Sequence, residues 1–227
     1  MNPESQVTTR GGQLQRVTSP YGIPEGAVPL DRQEVLKVQW TTIRNWKPRS
    51  EMWPFIHGAS LLASFSALSG AVCNMYFREK FNVQKFGRAS TFVPIIVIPA
   101  ALSMITHQLW VSNTILVDEF SCPLCGQVRA GTIQAILGAV YPCTLAAPLA
   151  IVLARRNWTY PVPTITEHRQ VLSMLSKTGR PFQLPFLVIF MGQFVMGMAM
   201  AKQQQRVFNE KLSAGMLPRD PNDIDRS

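Results

Sequence analysis

Four stretches of this chain contain no Asp, Glu, Lys or Arg, and each is long enough to cross a membrane. They are residues 52–77, 89–117, 130–154 and 181–201. A helix needs about 20 apolar residues to span a bilayer core of roughly 30 Å. A helix on the surface of a soluble protein would instead carry charged side chains on its outer face. The sequence therefore predicts an all-α membrane protein with four transmembrane helices at these positions.

The remaining parts of the chain are too short to form a second domain with its own core. We expect a disordered tail over residues 1–30, a four-helix transmembrane domain over 31–205 and a C-terminal tail over 206–227. The 227 residues carry a net charge of +9. In a membrane protein, such an excess of Lys and Arg contacts anionic lipid headgroups. No folded basic module typical of nucleic-acid binding is visible, so we expect no nucleic-acid partner.

An amphipathic helix is predicted over residues 32–48, just before the first transmembrane helix. Asp31 and Glu34 have the spacing of a capping box at its N-terminus. Leu36, Trp40 and Ile43 follow at helical intervals and form an apolar stripe. This pattern suits a helix that lies in the membrane interface. It suits equally a helix that packs on a partner protein.

Rows of small residues mark the first and third transmembrane helices. Small side chains let helix backbones approach closely in lipid, where no hydrophobic force drives association. We therefore predict that these two helices pack tightly, on each other or on the helices of a partner. The predicted packing residues are Ala59, Ala63, Ala67 and Ala71 in the first helix, and Gly131, Ala135 and Ala139 in the third.

Basic residues distinguish the two sides of the predicted bundle. The first and third loops carry the basic residues Arg78, Lys80, Lys85, Arg88, Arg155 and Arg156. The middle loop, 118–129, has only Arg129 against Asp118 and Glu119. The positive-inside rule places the basic loops on a cytoplasm-like or matrix-like side, where they are candidates to bind anionic lipid such as cardiolipin.

Cys122 and Cys125 form the sharpest local motif. Two thiols with this spacing can close a disulfide, stay as free thiols, act as a redox pair or supply half of a zinc site. A structural zinc site needs four ligands, and the sequence has no second CxxC or HxxxH motif. We therefore predict no metal and treat a disulfide between Cys122 and Cys125 as the first hypothesis.

Few polar side chains fall inside the transmembrane windows. His57 and His107 lie there and can hydrogen-bond between helices, and Gln108, Gln134 and Gln193 can pair across helices in the same way. No nucleophile–base motif, phosphate-binding loop or dinucleotide fingerprint is present in the sequence. We therefore predict that the chain is not an enzyme and holds no cofactor.

Several short motifs, together with the order of the helices, resemble the transmembrane protein 126 family of mitochondrial inner-membrane proteins. The resemblance covers roughly residues 33–205. The residues that carry it are 77–83 after the first helix, Cys122-x-x-Cys125 followed by 129–131, 138–142 with Pro148, and 154–156 followed by 161–163.

The resemblance implies an inner-membrane scaffold with its basic loops on the matrix side. Family members look like factors that hold membrane-arm intermediates of respiratory complex I (NADH:ubiquinone oxidoreductase) during assembly. The partners implied are complex I membrane-arm subunits and other complex I assembly factors. Two alternatives stay open from the sequence, namely a permanent accessory subunit of a respiratory complex and a small membrane channel or carrier.

Overall fold

The computed structural model describes residues 6–10, 13–17, 28–83, 86–117, 122–162 and 168–213. Its N-terminal part contains three short strands: β1 (Gln6–Arg10), β2 (Gln13–Val17) and β3 (Val28–Leu30). They pair in the order β2-β1-β3, and both pairs are antiparallel. The rest of the tail predicted over 1–30 lies outside the described residues.

Helix α1 (Arg32–Asn45) begins at the predicted capping box, where the backbone N–H of Asp31 donates to the Glu34 carboxylate at 3.1 Å. Its buried face contacts the transmembrane bundle of its own chain. Ile43 is fully buried there, and the Trp40 indole N–H donates to the Asn113 side-chain oxygen at 3.1 Å. The amphipathic helix is thus present, and its apolar stripe packs on the bundle of its own chain.

A 3₁₀ turn (Arg49–Met52) and the short helix α2 (Trp53–Ile56) lead into the membrane domain. The long helices are α3 (Gly58–Lys80), α4 (Arg88–Leu116), α5 (Pro123–Arg156), α6 (His168–Gly179) and α7 (Gln183–Val207). A 3₁₀ turn (Arg180–Phe182) joins α6 to α7, and the helical path continues to Leu212. Four spans are long and apolar enough to cross a membrane, namely α3, α4, α5 and Arg169–Leu212, which confirms the predicted architecture.

Several helices extend beyond the charge-free windows. The third begins at Pro123, seven residues before the predicted start at 130, so Arg129 lies within a helix rather than a loop. The fourth runs on to Leu212, well past the predicted end at 201. Long basic side chains near a helix end can reach the interface, so a charged residue does not mark the end of a membrane helix.

Wide π-helical turns interrupt the second and third spans, and two of them lie beside prolines. They are Val93–Val97 and His107–Ser112 in α4, and Ile136–Val140 in α5. A proline has no N–H for the carbonyl four residues before it. For Pro99 and Pro142 that carbonyl belongs to Ile95 and Gly138, each of which lies in a π turn. The wider turns thus accommodate the missing hydrogen bonds.

Contacts between the helices show that α3 runs antiparallel to both α7 and α4. Gly58 at the start of α3 faces Met200 near the end of α7, whereas Gly70 further along α3 faces Ile95 near the start of α4. Two apolar clusters fill the ends of the bundle. One includes Ile43 of α1 and residues where α7 ends, and the other includes residues where α3 ends and α7 begins. Polar side chains occupy the space between these two clusters.

Candidate functional site: buried amides and the basic end of the bundle

A single glutamine at the centre of the bundle contacts all three neighbouring membrane helices. Gln134 of α5 is 1% exposed. Its side-chain NH₂ donates to the Leu62 carbonyl at 3.0 Å and to the Ser66 hydroxyl at 3.2 Å, both on α3. The same group donates to the Gln193 side-chain oxygen of α7 at 2.8 Å. Its own oxygen accepts from the Ser103 hydroxyl of α4 at 2.6 Å.

Gln193 extends this network along α3. Its NH₂ group donates to the Phe65 carbonyl at 2.9 Å and to the Ser69 hydroxyl. Lipid offers no hydrogen bonds, so polar groups in the membrane must satisfy one another within the protein. The predicted pairing of Gln134 with Gln193 is confirmed, and the network fixes the relative positions of four helices.

A second polar layer surrounds Gln204, close to the end of α7. Its NH₂ group donates to the Pro54 carbonyl at 2.9 Å and to the Ser112 hydroxyl at 3.0 Å. Its oxygen lies 3.2 Å from Nε2 of His107. His107 is 2% exposed, whereas His57 is exposed. Sequence reasoning missed Gln204 because it lies beyond the charge-free window, although it follows Gln193 at a helical spacing.

The predicted small-residue faces are largely occupied inside the chain. Ala59, Gly131, Ala135 and Ala139 are buried. The first and third membrane helices do pack on each other, as the Gln134 contacts with α3 show. Gly131, however, faces Phe194 and Met198 of α7. Three residues of the α3 row remain half-buried: Ala63, Ala67 and Ala71.

Close approach of α5 and α7 depends on Gly197. A Cβ atom added there would lie 2.8 Å from the Ala130 carbonyl oxygen and 2.8 Å from the Cβ of Gln134. Real Cβ atoms essentially never come this near to other atoms. The glycine therefore allows the two backbones to meet beside the central glutamine. The five-residue spacing of Gly192 and Gly197 does not match the common GxxxG pattern, so this contact was not predictable from the spacing of the glycines.

The predicted basic residues lie at one end of the bundle in different environments. Arg78 is 7% exposed and donates to the Thr91 hydroxyl at 3.0 Å and to the Phe86 carbonyl at 2.8 Å. Lys80 is exposed, with its ammonium 5.7 Å from the centre of the Tyr76 ring. Arg88, Arg155 and Arg156 are also exposed. Lys85 lies outside the described residues.

The cysteines pair differently from the prediction. Cys122 and Cys125 are free thiols, and the Cys125 backbone N–H donates to the Cys122 sulfur at 3.3 Å. A hydrogen bond from the Cys125 thiol lowers the pKa of Cys122 below its ordinary value. The disulfide joins Cys73 of α3 to Cys143 of α5 instead. Cys73 and Cys143 are 70 residues apart in the sequence, and only helix packing brings them together.

A polar contact outside the membrane links the beginning and the end of the domain. Glu51 accepts a hydrogen bond from the Trp46 indole at 3.0 Å and lies 3.4 Å from the Lys211 ammonium. The indole hydrogen bond, followed by the charge of Lys211, lowers the pKa of Glu51. Among the described residues, no group of three His, Cys, Asp or Glu side chains could hold a metal ion.

Comparison with known proteins gives consistent matches. The family model described as Transmembrane protein 126 matches residues 37–216. Transmembrane protein 126 of Drosophila melanogaster is 34% identical over 190 residues, which cover 82% of this chain and 85% of the fly protein. Transmembrane protein 126A of Pongo abelii is 27% identical over 74% of this chain and 84% of its own length.

A third relative is named for its role. The mouse protein called Complex I assembly factor TMEM126B, mitochondrial, is 27% identical over 163 residues. The match covers 71% of this chain and 68% of the mouse protein. No solved structure matches the chain.

Proposed function

Because this chain belongs to the transmembrane protein 126 family, we propose that it assists the assembly of respiratory complex I in the mitochondrial inner membrane. The observation that carries the proposal is its similarity, over most of its length, to a mouse relative named as a mitochondrial complex I assembly factor. The four membrane-spanning helices suit a protein that works beside other membrane subunits.

The chemistry of the bundle favours a binding role over transport or catalysis. A channel or carrier needs polar groups that face water along its path. Here the central amides of Gln134, Gln193 and Gln204 donate to groups within the bundle. The relatives are named as transmembrane proteins or assembly factors, and none of these names describes an enzyme.

Helix α3 is our candidate for the surface that holds membrane-arm intermediates. Ser66, Ser69 and Gly70 of this helix face the other helices of the bundle. Ala63 and Ala67 are only half-buried, and their small side chains leave room for the backbone of a partner helix. We propose that this row, rather than the buried residues of α5, contributes to partner binding.

The basic end of the bundle would face the matrix in this proposal. Arg88, Arg155 and Arg156 are exposed there, so they are available to anionic lipid and to other assembly factors on that side. The opposite end would place the Cys122 and Cys125 thiols outside the matrix.

Complexome profiling of mitochondria tests the assembly role. The protein should migrate with incomplete membrane-arm intermediates and be absent from mature complex I, and its depletion should reduce those intermediates. A protein that migrates in fixed proportion with the mature complex would instead be a permanent accessory subunit. Flux through liposomes that contain only the purified protein would instead support the channel or carrier alternative.

A substitution pair tests the α3 surface separately. The double variant Ala63→Leu with Ala67→Leu should lose co-migration with the intermediates, while resistance to carbonate extraction shows that it still inserts. Ala199→Leu makes one such change at an exposed position of α7 and should leave co-migration unchanged. Unchanged co-migration of the double variant would exclude this surface without affecting the assembly role itself.

A further inference from the structure

A cavity of about 560 Å³ opens between the end of α3 and the beginning of α4. It lies at the basic end of the bundle. Its polar wall consists of Asn74, Arg78, Glu79 and Arg88. The volume is within the range of about 300–1,000 Å³ typical of small-molecule sites, so a phosphate group with its neighbouring atoms can enter.

The deeper polar side chains are held in place. Asn74 is 8% exposed and Arg78 is 7% exposed. Hydrogen bonds to Thr91 and Phe86 orient the Arg78 guanidinium. The Asn74 side chain lines the same cavity.

The rest of the cavity wall is apolar and faces outward. Met75 is 63% exposed and Phe92 is 50% exposed, and both belong to membrane-spanning helices. Ile96 continues this wall along α4 toward the middle of the membrane. Exposed apolar side chains at these positions contact the hydrocarbon of the bilayer. The cavity therefore combines a polar end at the interface with a path for an acyl chain.

We propose that this cavity binds the phosphate headgroup of an anionic phospholipid. Arginine matches phosphate oxygens with a planar fork of donors, and basic pockets between membrane helices bind anionic lipid headgroups. Arg88 is exposed at the rim and donates to the phosphate, while Asn74 donates from deeper in the cavity. Glu79 lies on the same wall, but the two arginines outweigh its charge, so the wall remains positive.

The apolar wall selects a lipid over free phosphate. An acyl chain that lies along Met75, Phe92 and Ile96 adds contacts that inorganic phosphate lacks. This site does not depend on the role in complex I assembly, since it involves only residues of this chain and the surrounding membrane.

Native mass spectrometry of the purified, delipidated full-length protein tests the proposal. Phosphatidylglycerol and cardiolipin should bind at least about tenfold more tightly than phosphatidylcholine, because the choline cation cancels the charge of its phosphate and is repelled by the positive wall. Arg88→Gln and Asn74→Ala should each weaken binding of the anionic lipids by a similar factor. Arg78 is left unchanged because its side chain also holds the turn between α3 and α4.

Arg180→Gln is the matched control, since it removes an exposed arginine at the same end of the bundle but outside the cavity wall. Equal losses in Arg88→Gln and Arg180→Gln would show general charge attraction and overturn the site. Equal binding of phosphatidylcholine would also overturn it. Displacement of the lipid by inorganic phosphate at the same concentration would identify a phosphate site instead. Circular dichroism of each variant separates lost binding from lost folding.

Discussion

The side-chain amides of Gln134 and Gln193 meet at 2.8 Å in the middle of the membrane domain, between α5 and α7. Each amide also donates to α3, and Gln134 accepts from α4. One pair of side chains thus connects all four membrane-spanning segments. Because the surrounding medium offers no water, loss of one member removes a hydrogen bond that the other cannot replace from solvent.

Replacement of Gln134 should therefore destabilise the bundle. Gln134→Leu leaves polar groups of Ser103 and Gln193 without their partner, at a cost of about 1–3 kcal/mol in the free energy of unfolding. The double variant with Gln193→Leu should cost less than the sum of the two single changes. Denaturant unfolding in detergent measures these values. Gln203→Leu, at an exposed position of α7, is the control, and strict additivity would contradict the coupling.

Substitution by alanine should change the stability of the protein differently at two glycines of α7. Gly197→Ala forces a Cβ against Ala130 and Gln134 and should destabilise the protein by about 1–3 kcal/mol. Gly192→Ala meets no atom within 4 Å and should be neutral or stabilise by up to about 1 kcal/mol. Thermal unfolding of both variants in one detergent makes the comparison. A similar loss at both positions would contradict the close approach of α5 and α7.

The contacts of Glu51 should make stability depend on pH. The folded pKa of this carboxyl is lowered, chiefly by the hydrogen bond from Trp46. The ionised Glu51 carboxylate therefore contributes to the stability of the fold above the unfolded pKa of about 4.3. This contribution is lost as the pH falls through the folded pKa.

Melting temperatures of the native protein and of Glu51→Gln, measured from neutral to acidic pH, test this dependence. At neutral pH the native protein should have a higher melting temperature than Glu51→Gln. The difference between the two melting temperatures should shrink as the pH falls. Lys211→Gln should remove part of the same difference, since the ammonium also favours the ionised carboxylate. A difference that stays constant across this pH range would contradict the expectation.

Alkylation before and after reduction should separate two classes of cysteine. Without reductant, Cys122 and Cys125 should react, because they are free and lie at the surface. Cys122 should react first near neutral pH, since its lowered pKa increases the thiolate fraction. Peptides that contain Cys73 and Cys143 should stay linked until reduction. Mass spectrometry measures both results, and alkylation of Cys73 without reductant would contradict the pairing.

Features that depend on neighbouring residues could be predicted from the sequence. The charge-free runs predicted four crossings because a charge in hydrocarbon is costly wherever the chain folds. Asp31 and Glu34 predicted the start of α1 because a capping box involves only adjacent backbone. The helix ends were less predictable, since side chains such as Arg129 can leave the membrane while the backbone remains helical.

Contacts between distant residues required the tertiary structure. The small-residue rows indicated close packing, but only the fold placed Gly131 against α7 and left Ala63 and Ala67 half-exposed. Neither the Cys73–Cys143 pairing nor the hydrogen bonds of Gln204 follow from local spacing.

The sequence by itself determined that the chain crosses the membrane four times, because the transfer of each segment into lipid depends on that segment's own composition. The tertiary structure decided which polar groups meet inside the bundle and which side chains line the cavity between α3 and α4. The rotation and depth of each helix depend on packing against the others, and no single segment encodes them.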